Sequence, residues 1–175
     1  MPATEIDLKK YIRDIPDFPQ KGIIFKDITP LLAHPDALKF VIDSFEEMYS
    51  TQKLDTILGI ESRGFLFGAP LAYKLGVPFA PVRKKGKLPS KTVAVEYSLE
   101  YGTSVVEMHE DSVLPGKRVL IVDDLLATGG TAAAAAHLVE KLGGKVIGLA
   151  FLIELRALDG RKKLEGYPIA SLLKY

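Results

Sequence analysis

Val119-Leu-Ile-Val-Asp-Asp-Leu-Leu-Ala-Thr-Gly-Gly-Thr131 joins an uninterrupted apolar run to two adjacent carboxylates and a turn of small residues. Val119 to Val122 are apolar and mostly β-branched, the composition of a strand buried on both faces, as in a parallel sheet. Asp123 and Asp124 follow at that strand's carboxyl end, where open α/β sheets place ligands. Neighbouring side chains on an extended segment point apart, so the pair makes a poor metal pincer. It reaches two adjacent hydroxyls, as on a ribose, if the chain is already turning. Ala127, Thr128, Gly129, Gly130 and Thr131 are small enough to bring successive backbone N–H groups around an anion, and they open into a helical run from Ala132 to Leu142. A phosphate placed there gains from unpaired donors and from the helix dipole. The segment reads as a site for a sugar phosphate.

Two other readings compete. A Walker-type loop needs Gly-x-x-x-x-Gly-Lys-Ser/Thr, which does not occur in the chain. An ordinary strand-turn-helix connection also uses Thr and Gly, but it rarely sets two acids directly after a buried strand, where desolvating carboxylates is costly.

The bulk properties narrow the field. A chain of 175 residues, 47% hydrophobic and 26% charged, fits one globular domain. With 23 basic against 22 acidic side chains the net charge is +1, so nothing global recruits nucleic acid or an anionic membrane, and any anion site is local. The absence of cysteine excludes disulfides, thiolate metal sites and cysteine nucleophiles, and suits a reducing compartment. Met1 to Lys10 lacks a signal-peptide core and there is no long apolar span, so cytoplasmic residence is the default expectation.

Along the chain, Ile6 to Arg13 suggests a short amphipathic helix ended before Pro16, and Pro35 to Tyr49 a longer one. Thr56 to Ile60 reads as a strand, Phe65 to Leu75 as a helix stopped by Gly76, Val77 to Val82 as a strand bounded by prolines, and Lys145 to Glu154 as a further buried strand. This alternation predicts an α/β fold: a central, mostly parallel sheet flanked by helices. Between Lys84 and Gly102 the pattern breaks down, which suits either a solvated, mobile hairpin or a lid whose cations neutralise phosphates.

The thirteen residues of the opening stretch resemble the ribose-5-phosphate signature of type I phosphoribosyltransferases, and their ending is similar to that of members acting on adenine. Phe18 to Pro30, Gly59 to Gly68, Arg83 to Pro89 and Glu96 to Gly102 are each similar to segments of that family, in the same order. The resemblance implies a single phosphoribosyltransferase domain over residues 1–175, with a base-binding hood at about residues 1–34 and a mobile lid loop at 84–102. It also implies purine salvage, in which 5-phosphoribosyl 1-pyrophosphate and adenine give AMP and pyrophosphate, with Mg²⁺ as cofactor and a homodimer as the assembly.

Site roles divide accordingly. The resemblance assigns Asp123 and Asp124 to the ribose hydroxyls and Ala127, Thr128, Gly129, Gly130 and Thr131 to the 5-phosphate, the same split the residues suggested. Glu61, Ser62 and Arg63 lie between a strand end and a helix start, where cations and free N–H groups converge on pyrophosphate. Arg63 is the strongest candidate because its guanidinium offers paired donors to phosphate oxygens. A surface ion pair is the plain alternative for it. A serine-hydrolase reading of Ser62 is weaker, since Ile60 occupies the place of the first glycine in Gly-x-Ser-x-Gly. From the resemblance, Arg83, Lys84 and Lys87 join the pyrophosphate environment, one of them lent across a dimer interface. Ile24, Phe25 and Lys26 match the base-binding segment, with Leu125 covering the other face of adenine. Lys26 stands where many relatives have arginine, a change to which main-chain contacts are indifferent. Glu100 is the candidate acid/base for the N7 proton, with Tyr97 and Tyr101 beside it to exclude water and raise its pKa.

Mg²⁺ prefers oxygen ligands and retains waters, so no dense metal motif and no direct protein ligand is expected. The three histidines are scattered, and His109-Glu110 lacks the second His of a zincin. Two rivals remain: a transferase for xanthine or another base, and a ligand-binding regulator without catalysis. The latter ordinarily needs a DNA-binding module and a basic face.

Overall fold

The computed structural model describes residues 6–99 and 102–175. Two compact units lie within Met1–Ser44 and Phe45–Tyr175.

In the first unit a 3₁₀ turn, Leu8–Tyr11, is capped by Asp7, whose carboxylate accepts from the Lys9 amide at 3.2 Å. Strands β1 (Arg13–Pro16) and β2 (Ile24–Asp27) pair antiparallel, Arg13 opposite Asp27 and Ile15 opposite Phe25. The expected helix over Ile6 to Arg13 is thus reduced to one turn. So short a helix is marginal alone, and strand pairing together with the Arg13 guanidinium, 2.6 Å from Asp27 Oδ2, claims its last residue. Helices α1 (Thr29–Leu32) and α2 (Pro35–Tyr49) follow, the second crossing the boundary between the units.

The second unit runs β3 (Thr56–Ile60), α3 (Gly64–Leu75), β4 (Phe79–Lys84), β5 (Thr92–Ser98), β6 (Thr103–His109), β7 (Arg118–Leu126), α4 (Gly130–Lys141), β8 (Lys145–Glu154), 3₁₀ turns at Arg156–Leu158 and Gly160–Leu164, and β9 (Ile169–Lys174). The seven strands order as β5-β6-β4-β3-β7-β8-β9. Pairs from β4 through β9 are parallel, while β6 joins β4 and β5 antiparallel. Central strands carry the apolar runs foreseen for two-sided burial: every residue of β3 is buried, as are Val119 to Val122.

The right-handed crossovers β3-α3-β4 and β7-α4-β8 step to opposite sides of the sheet centre, which puts their helices on opposite faces. On one face Leu58, Ile60, Val82, Ile121 and Phe151 pack with Ala135, Leu138 and Val139 of α4. Against the other lies α3, burying Phe67 and Leu71. Each such side chain contributes about 1.5–3 kcal/mol of transfer free energy. Both crossovers leave the carboxyl ends of β3 and β7 side by side, where chain connections can build a ligand site.

Three expectations need correction. The strand expected from Val77 starts at Phe79, because the Val77 amide donates to Ala72 O and closes α3; it extends to Lys84 because β6 pairs with Arg83 and Lys84. Residues taken as irregular between Lys84 and Gly102 include a regular strand, β5, whose lysine-rich approach hid an alternating Thr-Val-Ala-Val core. Finally, the chain is not turning at Asp123 and Asp124: β8 keeps pairing past them, Asp123 opposite Phe151 and Leu125 opposite Ile153, so β7 continues to Leu126.

Candidate active site

Glu61, Ser62 and Arg63 leave β3 and enter α3 across a cis Glu61–Ser62 peptide, with the Glu61 amide donating to Val82 O at 2.9 Å. Gly64 opens the helix pressed against β7. A Cβ there would stand 2.7 Å from Val122 O and 3.0 Å from Asp123 Oδ1. Because the two backbones meet this closely, Arg63 reaches the acids: its Nε lies 2.7 Å from Asp124 Oδ2.

A cavity of about 510 Å³ opens above this junction. Asp123, Asp124 and Leu125 of β7 line one side and Glu61, Ser62 and Arg63 another, while Lys84, Lys87 and Thr131 complete it. The structure therefore brings together nine of the residues singled out from the sequence.

The acids are electrostatically loaded. Burial, then the charge of Asp124, pushes the Asp123 carboxyl well above its usual range; burial also raises Asp124, with Arg63 opposing. Asp123 Oδ1 accepts the Asp124 amide at 2.8 Å. Asp124 is 4% exposed, and its buried Oδ2 makes the ion-pair contact with Arg63 but receives no hydrogen bond among the described residues. An under-satisfied buried acceptor of this kind calls for a donor brought by something else.

The cations converge on Glu61. Its carboxylate accepts from Lys87 Nζ at 2.7 Å, the Lys84 amide at 2.9 Å and Arg83 Nε at 3.4 Å. Although burial works against ionisation, these donors hold Glu61 down at about 2. Arg83 also donates through Nη1 to Lys87 O, so it braces the basic loop while Lys84 and Lys87 line the cavity.

Beyond the acids, Ala127 and Thr128 lead to Gly129, which takes a left-handed conformation at φ 81° and caps α4. The amides of Gly130, Thr131 and Ala132 have no acceptor within the helix, as the first turn requires. The Thr131 hydroxyl donates to Tyr97 Oη at 3.2 Å, and a smaller cavity of about 260 Å³ connects Tyr97 and Leu99 with Lys84, Glu61 and Thr131. This coupling between β5 and the small-residue turn was not foreseen, although Tyr97 was noted beside Glu100. A second unforeseen neighbour is Gly160: a Cβ on Gly129 would stand 2.4 Å from its carbonyl oxygen. The Asp159-Gly160 dipeptide signals a turn, but no local pattern says where that turn packs.

Ile24, Phe25 and Lys26 lie in β2 of the first unit. Phe25 meets Phe18 edge-on with ring centroids 5.2 Å apart, Ile24 is 55% exposed, and Lys26 Nζ is 2.7 Å from Asp14 Oδ1. Glu100 and Tyr101 lie outside the described residues.

Residues 27–171 match the family model described as phosphoribosyl transferase domain. The adenine phosphoribosyltransferase of Brachyspira hyodysenteriae is 59% identical over 170 residues, covering 97% of this chain and all of that protein. The crystal structure of adenine phosphoribosyltransferase from Thermoanaerobacter pseudethanolicus superposes with a TM-score of 0.94 at 59% identity, over 97% of this chain and 98% of that one. That of the Saccharomyces cerevisiae enzyme, complexed with an imino-altritol bisphosphate and adenine, does so with a TM-score of 0.90 at 44% identity, over 95% and 96%. With the sheet order, the acid pair ending in a glycine turn and these likenesses together, the chain belongs to the type I phosphoribosyltransferase family, in its adenine phosphoribosyltransferase branch.

Proposed function

We propose that this chain transfers the 5-phosphoribosyl group from 5-phosphoribosyl 1-pyrophosphate to adenine, giving AMP and pyrophosphate, and so serves purine salvage. The single observation that carries the assignment of sites is the pair of half-buried Asp123 and buried Asp124, facing a cavity beside Arg63 on the strand that leads through the glycine turn to α4. Asp124 Oδ2, buried and in ion-pair contact with Arg63 but without a well-aligned hydrogen bond, suits a ribose hydroxyl. Ala127, Thr128, Gly129, Gly130 and Thr131 supply amides and a hydroxyl for the 5-phosphate.

In the reaction the bond from C1 to the pyrophosphate oxygen breaks as adenine N9 bonds to C1. Arg63, with Ser62 and the basic residues Arg83, Lys84 and Lys87, holds the departing pyrophosphate. Glu61 aligns those cations rather than meeting the anion itself. The carboxylates of Asp123 and Asp124 oppose the positive charge that develops on the sugar, an effect strengthened where water is excluded. Leu125 lines the cavity and offers an apolar face to the base, and Ile24, Phe25 and Lys26 are the matching base-binding segment of the first unit. Glu100 takes the N7 proton, and Tyr101 and Tyr97 shield it as the segment around residues 84–102 acts as a lid.

Mg²⁺ fits the donor set. Described side chains form no cluster of three metal ligands, and a hard cation held by substrate oxygens and water needs no direct protein ligand. When bound with the diphosphate it would neutralise charge on the leaving group. A homodimer suits the exposed face of α3, where Leu66, Ala69, Pro70 and Tyr73 recur at helical spacing and Tyr73 is 90% exposed. No helix among the described residues is long and apolar enough to cross a membrane, and the lack of cysteine suits the cytoplasm.

A base-specificity assay tests the reading. Protein given 5-phosphoribosyl 1-pyrophosphate and Mg²⁺ should release pyrophosphate with adenine and not with hypoxanthine, guanine, xanthine or orotate. Turnover of another base alone would reject the substrate and keep the family.

A further inference from the structure

The turn of basic residues after β8 packs against the small-residue turn more closely than any side chain allows. A Cβ on Gly129 would stand 2.4 Å from Gly160 O, and a Cβ on Gly160 would stand 2.3 Å from Ala127 O and 2.9 Å from a Leu126 methyl. Backbone thus meets backbone from both sides. Neither partner can accept even a methyl group without the segments moving apart.

The far side of this contact is firmly held. Arg161 donates to Glu154 through Nε at 2.6 Å and Nη2 at 2.7 Å, and the Ser171 hydroxyl donates to the same carboxylate at 2.5 Å, fixing the turn to β8 and β9. Leu164 is buried in the core at 1% exposure. Three consecutive cations follow Gly160, and two are engaged: Arg161 by Glu154, and Lys162 by Asp159 at 2.5 Å. The Lys163 ammonium has neither an ion pair nor a hydrogen bond among the described residues. Its Nζ stands 3.9 Å from where a Cβ of Gly130 would sit, beside the free amides at the start of α4.

We propose that the turn Asp159–Leu164 is a working wall of the phosphate cradle, in which Gly160 positions the backbone of Ala127–Gly130 and Lys163 provides a cation for the 5-phosphate. This rests on the reading of residues 127–131 as the seat of that phosphate. An ammonium group beside free backbone donors favours a dianion over a neutral sugar, and a fixed backbone spares the turn from ordering when the ligand arrives.

Calorimetric titration of wild type, Lys163→Gln and Lys163→Arg with AMP, adenosine and pyrophosphate tests the cation. Lys163→Gln is expected to weaken AMP about tenfold, the scale of one charge-assisted contact, with adenosine and pyrophosphate unchanged. Its loss in turnover should fall on KM for the phosphoribosyl donor rather than on kcat, and Lys163→Arg should restore most of both. The slope of AMP affinity against salt should flatten in Lys163→Gln, which a merely structural lysine would not alter. Equal AMP affinity in wild type and Lys163→Gln would overturn the assignment of Lys163. A wild type that binds AMP no better than adenosine would instead remove the phosphate seat itself. For the positioning half, Gly160→Ala should speed amide exchange at Thr128–Thr131 and raise the same KM; unchanged exchange and KM in the folded variant would refute it.

Discussion

Arg63 and Asp124 meet with Nε 2.7 Å from Oδ2, tying the entry to α3 to the acid pair of β7. The carboxylate is almost fully buried while the guanidinium is 40% exposed, so the partners do not share the consequences of separation equally. Removing the arginine leaves a buried charge with its main counter-ion gone, whereas removing the acid leaves a cation that water can reach. Arg63→Ala should therefore cost about 1–2 kcal/mol at neutral pH, less than for a wholly buried pair because solvent reaches the site. With Arg63 gone, the Asp124 pKa rises further above its unfolded value. The deficit should then be full above that raised pKa, shrink below it, and close once pH falls below the wild-type Asp124 pKa, where both folded proteins hold the proton. Urea unfolding at pH 7 and pH 4 checks this: an equal deficit at both would contradict the electrostatic account.

Asp123 presents the opposite trade. Its carboxyl is held well above the ordinary value of 3.8 by burial and by Asp124, so the folded state binds the proton more tightly than the unfolded chain. Folding is accordingly penalised as pH rises from 3.8 through the raised pKa, and the penalty is complete above it. Asp123→Asn removes that charge with little change in shape. It should raise the melting temperature at pH 7 by about 2–4 °C while reducing transfer activity at least about 100-fold, a site that costs stability for function. Below pH 3.8 the advantage should vanish. A variant less stable than wild type at neutral pH would show that the hydrogen bond to the Asp124 amide outweighs the repulsion.

How far the letters alone reach is visible in these residues. Val119 to Val122, Thr56 to Ile60 and Pro35 to Tyr49 announce themselves through continuous or periodic apolar content, and each forms the element expected. Asp123, Asp124 and the glycine turn are legible because strand end, acids and helix start are contiguous. By contrast β5 pairs with β6 along an edge, and its burial comes from neighbours distant in sequence, so a local pattern does not declare it. The contact of Gly160 with Gly129 is likewise a product of topology: β8 must return beside β7 before the turn after it can reach the turn after β7. Glu61 shows the same limit, since only the register of β3 against β4 reveals that its carboxylate gathers Arg83, Lys84 and Lys87.

Gly64 offers a steric test of how α3 places Arg63. A methyl group there would press on Val122 O at 2.7 Å and on Asp123 Oδ1 at 3.0 Å, and the first of these is backbone within a buried strand. Since Val122 cannot retreat without breaking its pairing with Gly59 and Ala150, α3 must shift instead and carry Arg63 with it. Gly64→Ala should thus cost about 1–3 kcal/mol and lower kcat/KM at least about tenfold, with the melting temperature and turnover measured on the same preparation. Wild-type turnover in a destabilised variant would separate α3 docking from the placement of Arg63.

Glu154 links acid stability to the turn behind the phosphate loop. Its carboxylate lies at about 2, below the usual 4.5, chiefly because Arg161 donates to it, with Ser171 adding a further donor against the cost of burial. A depressed carboxylate stabilises the fold fully above 4.5, and that contribution is lost as pH falls toward 2. Arg161→Met deletes the donors and leaves a side chain that is 7% exposed without its cation. The variant should lose about 1–2 kcal/mol at pH 7, less than the shift alone implies because the guanidinium is 45% exposed and solvent screens the pair. The gap to wild type should close between pH 4.5 and pH 2, as the wild type loses its advantage and the variant's glutamic acid becomes neutral. Guanidinium unfolding across that range, alongside KM for the phosphoribosyl donor at pH 7, measures both consequences. Because the same pair anchors the turn that carries Gly160 and Lys163, loss of stability should be accompanied by a higher KM. A stability loss that left KM unchanged would mean that Glu154 and Arg161 brace β8 and β9 alone.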